Sequence, residues 1–146
     1  IASSSMPLLA PMQEIAGRQY LDGGIADSIP VGQAMQDGLE KQVIVLTQNE
    51  GYVKKPNKLM PLIRLRYRRY PALCRAMQQR HIDYNRSLQT AQQLEQQGKA
   101  VIIQPSQPMV LHRVEKDVDK PQAAYENGYH DAAAAWERIQ RLFAQE

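Results

Sequence analysis

The stretch RQYLDGG at residues 18–24, followed by DSIP at residues 27–30, decides the fold prediction. A β-prone run ends at an aspartate, and two glycines follow it immediately. Ligands of open α/β sheets bind at the carboxyl ends of the strands, so the pattern places the carboxylate of Asp22 at such an end. Gly23 and Gly24 permit a tight turn with positive φ and the close approach of another backbone or of a substrate. Asp-Gly-Gly alone is also an ordinary turn sequence.

Three apolar runs predict one largely parallel sheet, with strands at residues 18–22, 42–47 and 100–103. The second and third runs are continuous and rich in β-branched residues, which is typical of strands buried on both faces. Helical patterns separate the runs, as expected of parallel crossovers. The sequence therefore predicts an α/β fold.

Helical periodicity covers most of the remaining chain. Pro30 begins a short helix that Gly38 ends. Apolar residues at intervals of three and four predict a long helix over residues 72–97, which Gly98 closes. Residues 48–61 are polar, contain glycine and prolines, and predict a loop.

A last helical region is predicted from about residue 118 to residue 144, with a bend near Asn127 and Gly128. Pro121 fits best in its first turn. Its predicted packing stripe consists of Ala133, Trp136, Ile139, Leu142 and Phe143.

Composition excludes several classes of protein. The 146 residues suffice for one ordinary domain, and no apolar run is long enough to cross a bilayer. The single cysteine, Cys74, cannot form an internal disulfide and suits a reducing compartment. A net charge of +3 is too small to argue for a nucleic-acid partner. No two of the histidines (His81, His112 and His130) have the spacing of metal ligands, so we expect no metal and no cofactor.

The segments ASSSMPLLAP at residues 2–11 and YLDGGIADSIPV at residues 20–31 resemble the second catalytic block of patatin-like phospholipases. That block has an Ala-Ser-rich segment ending in proline, then a strand, Asp-Gly-Gly or Asp-Gly-Ala, and a proline before a helix. Ser28 departs from the pattern, since many members carry asparagine there. The resemblance implies a three-layer α/β/α fold and a serine–aspartate dyad that hydrolyses lipid esters. It also implies that Asp22 is the dyad aspartate, supported by Gly23 and Gly24.

The nucleophile of that family lies in Gly-x-Ser-x-Gly, and no serine of this chain lies between glycines at that spacing. We therefore expect a C-terminal part of a longer enzyme, whose N-terminal half supplies the nucleophile and the oxyanion hole. The chain alone should be inactive. Residues 1–60 would complete the catalytic domain, and residues 61–146 would form a helix-rich extension with one further strand. The serine run 3–5 is expected to be structural and to lie near the dyad.

A basic cluster follows the predicted catalytic segment. Tyr67 and Tyr70 are interleaved with its arginines, so the cluster could bind lipid phosphates or a nucleic-acid backbone. A solvated surface, or pairing with acidic residues of the C-terminal half, is the simpler explanation. Because the resembled family acts on lipids, an anionic membrane surface is preferred over nucleic acid. The cluster consists of Lys54, Lys55, Lys58, Arg64, Arg66, Arg68 and Arg69.

Three hypotheses about function remain open. The chain is part of a lipid acyl hydrolase, a non-catalytic module that binds anionic lipid or a partner, or a degenerate relative of the enzymes. The hydrolase hypothesis predicts a lipid or ester substrate and a cytoplasmic protein, with peripheral contact to a membrane as an alternative. An upstream Gly-x-Ser-x-Gly would favour the enzyme, and its absence the degenerate relative.

Overall fold

The computed structural model describes residues 2–108 and 119–144, and it is a mixed α/β structure with a helical C-terminal region. This confirms the predicted fold class, whereas the three-layer arrangement of a complete patatin-like domain stays a prediction. The elements are β1 (Gln13–Ile15), β2 (Arg18–Tyr20), α1 (Val31–Gln36), β3 (Gln42–Val45), α2 (Met60–Arg66), α3 (Pro71–Gln96), β4 (Ala100–Ile103) and α4 (Asp119–Ala144).

The strands β3 and β4 form the predicted parallel pair. Their register aligns Gln42 with Ala100 and Val45 with Ile103. The long helix α3 lies between them in sequence, as a parallel crossover requires. The prediction is confirmed for these two strands.

The first predicted strand does not join that sheet, so this part of the prediction is wrong. Instead, β2 pairs with β1 as an antiparallel hairpin in a separate sheet, with Ile15 opposite Arg18. The connecting residues Ala16 and Gly17 both have positive φ, at 50° and 73°. That is the backbone of a two-residue turn whose twist suits adjacent antiparallel strands. Local pairing with β1 therefore replaces the predicted pairing in the parallel sheet.

The prediction that both runs are buried on two faces holds only for β4. Along β3, Gln42 and Ile44 are buried, whereas Val43 and Val45 are exposed by 38% and 70%. Since successive side chains of a strand point to opposite faces, one face of β3 is uncovered within the part of the chain that the structure describes.

The C-terminal end of α3 follows the predicted chemistry. Gly98 has a φ of 71°, and the bonds from Gly98 N to Glu95 O and from Lys99 N to Leu94 O close α3. These two bonds form a Schellman motif, which needs a left-handed residue that glycine adopts without a steric penalty.

The helix α4 is continuous through Asn127 and Gly128, so the predicted interruption of the helix before it resumes at His130 is wrong. One glycine costs a helix only about 1 kcal/mol, which its flanking turns can offset. The predicted packing stripe is also partly wrong. Ala135 and Leu142 are buried, but Trp136 and Phe143 are exposed. The packed face follows the spacing 135, 139 and 142 instead.

The chain divides into two compact units. The first comprises residues 1–30 and 54–88, and its core contains Ile25, Ile63, Tyr67 and Met77. The second comprises residues 31–53 and 89–146, and in it Val101 of β4 packs against Ala135 and Leu142 of α4. The predicted domain boundary near residue 60 stays a prediction. No described helix is long and apolar enough to cross a membrane.

Candidate functional site

The Asp22 carboxylate caps a short 3-10 turn that begins at the next residue, Gly23–Ile25. Its Oδ1 accepts a hydrogen bond of 2.7 Å from the backbone N–H of Gly24. The side chain is half-buried, and among the described residues the structure gives Oδ2 no hydrogen-bond partner. One carboxylate oxygen is thus fixed in place, while the other remains available to accept a further hydrogen bond.

Gly23 and Gly24 do not have the predicted role of residues with positive φ in a tight turn. Neither has positive φ, so the predicted positive-φ turn is wrong, because a right-handed 3-10 turn needs negative φ. A Cβ on Gly24 would lie 3.1 Å from Asp22 Oδ1, a close approach. A Cβ on Gly23 would meet nothing within 4 Å among the described residues. Gly24 therefore lets the carboxylate fold back on the turn, and Gly23 leaves an open surface beside it.

Ser28 stabilises the turn from its C-terminal side. Its hydroxyl donates a 2.6 Å hydrogen bond to the carbonyl of Gly24. Asp27 Oδ1 accepts from the N–H of Ile29 at 3.1 Å, which is a local Asx turn that leads into Pro30. The departure at Ser28 thus retains a polar bond to the turn.

The serine-rich segment lies directly against the aspartate. The carbonyl of buried Ser5 accepts the N–H of Asp22 at 3.0 Å. Three residues further on, the N–H of Leu8 donates to the Tyr67 hydroxyl at 3.0 Å. Leu8 has a φ of 71°, a conformation that costs energy for a non-glycine residue and persists only where surrounding contacts hold it. The segment is therefore anchored next to Asp22.

Sequence reasoning missed Arg80, which comes from the middle of α3. Its Nε donates a 2.7 Å hydrogen bond to the carbonyl of Gly24. Arg80 is 56 residues from Gly24 in the sequence and lies in no motif, so only the fold reveals the contact.

Several residues of the predicted basic cluster have structural partners. Lys54 Nζ lies 4.4 Å from the centroid of the Tyr84 ring, a cation–π contact. Arg64 Nη2 donates to Gln78 Oε1 at 2.8 Å, and Tyr70 OH donates to Gln19 Oε1 at 2.9 Å. Tyr67 is buried in the core, so it is a packing residue rather than a surface aromatic.

The other members of the cluster lie on the surface around α2, a helix that was predicted partly as loop. Lys55, Lys58, Arg66, Arg68 and Arg69 are all exposed, and Arg66 also lies over the Tyr67 ring, with its Cζ 5.5 Å from the ring centroid. Three leucines are exposed among them, which sequence reasoning missed although their spacing of three was visible. They are Leu59, Leu62 and Leu65, exposed by 52%, 50% and 69%.

A concave surface lies at the carboxyl end of β4, apart from the residues around Asp22. It is a cleft of about 360 Å³ whose charged lining residues are Glu50, Glu95, Asp131 and Arg138. Glu95 Oε1 accepts from Ile102 N and from Arg138 Nη1, at 2.9 and 3.2 Å. Asp131 Oδ2 accepts from the N–H of Ser106 at 3.0 Å. Most of these charges thus join α4 to β4 and its neighbours, which is a structural role.

In the described ranges no three His, Cys, Asp or Glu side chains are grouped as metal ligands. His81 Nδ1 lies 3.0 Å from the carbonyl of Gln78, and His130 is exposed. His112 lies outside the described residues. Cys74 is a free, half-buried thiol in the first unit.

Two family models match the chain. Residues 1–35 match patatin-like phospholipase, which covers the Asp22 turn and the serine-rich segment. Residues 70–144 match a domain of unknown function, DUF6363. Because this match spans half of the sequence, the chain belongs to the DUF6363 family. The patatin-like match is short and indicates a lipid hydrolase family for that segment. A search of curated proteins found no match.

Proposed function

We propose that this chain is the aspartate-bearing part of a patatin-like serine hydrolase that cleaves ester bonds of phospholipids or other lipids. The patatin-like match over residues 1–35 supports the reaction class. The observation that carries the proposal is the Asp22 carboxylate, fixed through Oδ1 by Gly24 N–H at 2.7 Å. The nucleophilic serine and the oxyanion hole would come from residues outside this sequence.

In the proposed reaction, Asp22 acts as a general base. As the serine oxygen attacks the ester carbonyl, Oδ2 of Asp22 accepts the serine proton, and the carboxylic acid then passes it to the departing alcohol. In the second half-reaction Asp22 takes a proton from the water that attacks the acyl-enzyme. It then gives this proton to the departing serine oxygen, which releases the fatty acid and restores both the serine hydroxyl and the Asp22 carboxylate. The open surface at Gly23 supplies the room that the serine and the substrate need.

Turnover of a short-chain ester by the full-length gene product tests this function. Asp22→Asn keeps the shape of the side chain but removes the charge that takes the proton. We expect kcat to fall by at least ~10²-fold, the lower range for a general base, with an unchanged thermal melt. Near-full turnover by a normally folded Asp22→Asn protein would rule out the dyad. If that variant does not fold, Asp22→Glu, which keeps the charge but moves it, replaces it.

A second proposed function is binding to an anionic membrane surface through the α2 region. The exposed leucines at 59, 62 and 65 among exposed lysines and arginines favour it. An apolar stripe flanked by cations is the pattern of a segment that lies in a bilayer interface. Each cation near an anionic surface contributes about 1 kcal/mol. This contact would give a cytoplasmic enzyme peripheral access to its lipids. The proposed partner of the basic cluster is therefore a membrane surface and not a nucleic acid.

Flotation with lipid vesicles tests the membrane contact. The chain should bind vesicles that contain phosphatidylserine, more weakly at high salt, and not pure phosphatidylcholine vesicles. Leu62→Glu should weaken binding, whereas Tyr125→Glu, at an exposed aromatic outside α2, should not. Equal binding by the two variants would refute the role of α2.

A further inference from the structure

The helix α3 contacts the Asp22 turn, although its residues lie in the segment that matches DUF6363. Both the turn and the first part of α3 belong to the first compact unit. Arg80 Nε donates to Gly24 O at 2.7 Å, and Met77, one turn earlier, packs in the same core as Ile25. At the start of α3, Tyr70 OH donates to Gln19 Oε1. The two matched segments therefore meet at the residues around the candidate dyad aspartate.

Both the N–H and the carbonyl of Gly24 make hydrogen bonds to side chains. Its N–H donates to Asp22 Oδ1, and its carbonyl accepts from both Arg80 Nε and the Ser28 hydroxyl. A Cβ built on Gly24 would lie 3.1 Å from Asp22 Oδ1 and 3.6 Å from Arg80 Nη2. The guanidinium and the carboxylate thus flank the same glycine. Moving Gly24 would move the donor that fixes the carboxylate.

We propose that Arg80 is a positioning residue for Asp22, and that orienting the dyad aspartate is a function of the DUF6363 segment. This inference rests on the proposed hydrolase function. A guanidinium is always charged and planar, so its Nε–H donates in one fixed direction, and such charge-assisted bonds are stronger than neutral ones. Arg80 does not touch the reacting atoms. It acts through the Gly24 carbonyl, and hence through the N–H that holds Asp22 Oδ1.

The positioning matters because proton transfer depends on geometry. A catalytic base must lie within hydrogen-bond reach of the proton it takes, and displacements of about 1 Å can cost 10²-fold in rate. A loose turn would leave the aspartate chemically intact but misplaced. The expected signature is therefore a loss of kcat with little change in KM.

Two measurements test the proposal with one set of variants. Arg80→Met removes the donor and keeps most of the apolar side chain, and Arg80→Lys keeps the charge but loses the directed Nε–H. Arg75→Met is the matched control, an exposed arginine on the same helix. The first measurement is amide hydrogen exchange of this chain at residues 24–27. The second is steady-state kinetics of the full-length gene product.

We expect Arg80→Met to speed exchange of the turn amides about tenfold, equivalent to about 1.4 kcal/mol, while Arg75→Met leaves them unchanged. In the full-length protein, kcat should fall at least about tenfold at nearly constant KM, and Arg80→Lys should recover part of it. If Arg80→Met does not fold, hydrogen exchange and kinetics are both measured on Arg80→Lys and compared with the unmodified protein.

Three results would overturn the proposal, and they differ in what they say of the dyad. Unchanged exchange at residues 24–27 would show that Arg80 does not hold the turn, whatever the activity. Faster exchange with unchanged kcat, while Asp22→Asn is inactive, would leave the hydrolase function standing and make Arg80 a purely structural residue. Full activity of Asp22→Asn would remove the dyad itself, and with it any positioning role.

Discussion

Replacing Tyr67 with phenylalanine isolates one hydrogen bond that supports the segment beside Asp22. The Tyr67 hydroxyl accepts the N–H of Leu8 at 3.0 Å, and the ring lies in the core with Ile25, Ile63 and Met77. Phenylalanine keeps the ring and therefore the apolar packing. The substitution removes only the acceptor. The Leu8 N–H can then bond only to water, and water reaches it only in part because Leu8 is half-buried.

The expected loss follows from that geometry. A donor left unpaired on burial costs about 1–3 kcal/mol, and partial access to water places Leu8 toward the lower half of this range. Leu8 also has a positive φ, an unfavourable conformation for leucine, so relaxation of its backbone in the variant would limit the loss further. We expect about 1–2 kcal/mol of destabilisation, which lowers Tm by about 2–8 °C in a chain of this size.

Urea denaturation and thermal melts of this chain measure the effect. Tyr70→Phe is the matched control, because its hydroxyl makes an exposed bond to Gln19 and should contribute less than about 0.5 kcal/mol. The midpoint of Tyr67→Phe should fall at an unchanged denaturant slope. Equal stability of the two variants would refute the claim that Tyr67 anchors the segment at Leu8.

Three further substitutions test other parts of the structure. Ile63→Ala should cost about 2–5 kcal/mol of unfolding free energy, because Ile63 is 1% exposed, while Leu62→Ala at a half-exposed site should cost under about 1 kcal/mol; similar urea midpoints would disprove the assigned core. Gly23→Ala should leave the melt unchanged, since its Cβ meets nothing within 4 Å, yet lower ester turnover of the full-length protein if a substrate or nucleophile uses that open surface; full turnover would show that nothing approaches there. Glu95→Ala should destabilise by about 1–2 kcal/mol through loss of the acceptor for Ile102 N and Arg138, with exposed Glu137→Ala as control, and equal denaturation curves would contradict this.

The parts of the fold predicted from sequence are those that local chemistry determines. The continuous apolar runs gave β3 and β4, and Gly98 marked the end of α3. The pairing of β2 was not predictable in the same way, because it depends on Ala16 adopting a positive φ that alanine rarely adopts. The continuity of α4 through Gly128 likewise depends on a balance between propensity and flanking turns.

In the candidate site, too, local features were predictable from the sequence and long-range contacts were not. The turn at Asp22 was visible because its residues are adjacent and the segment resembles a known motif. The contacts from Tyr67 and Arg80 were not visible, because they span 59 and 56 residues. With 18 lysines and arginines in the chain, nothing in the sequence singles out Arg80. Such long-range contacts follow from tertiary packing rather than from local pattern.

The most direct test of the proposed dyad is covalent labelling of the full-length gene product with a fluorophosphonate, which reacts with activated serines. We predict one labelled serine, in a Gly-x-Ser-x-Gly segment outside residues 1–146, and labelling at least ~10²-fold slower in Asp22→Asn. Peptide mapping by mass spectrometry identifies the serine, and a time course gives the rate. No labelled serine, or labelling at the same rate in a folded Asp22→Asn protein, would contradict the claim that Asp22 activates a nucleophile.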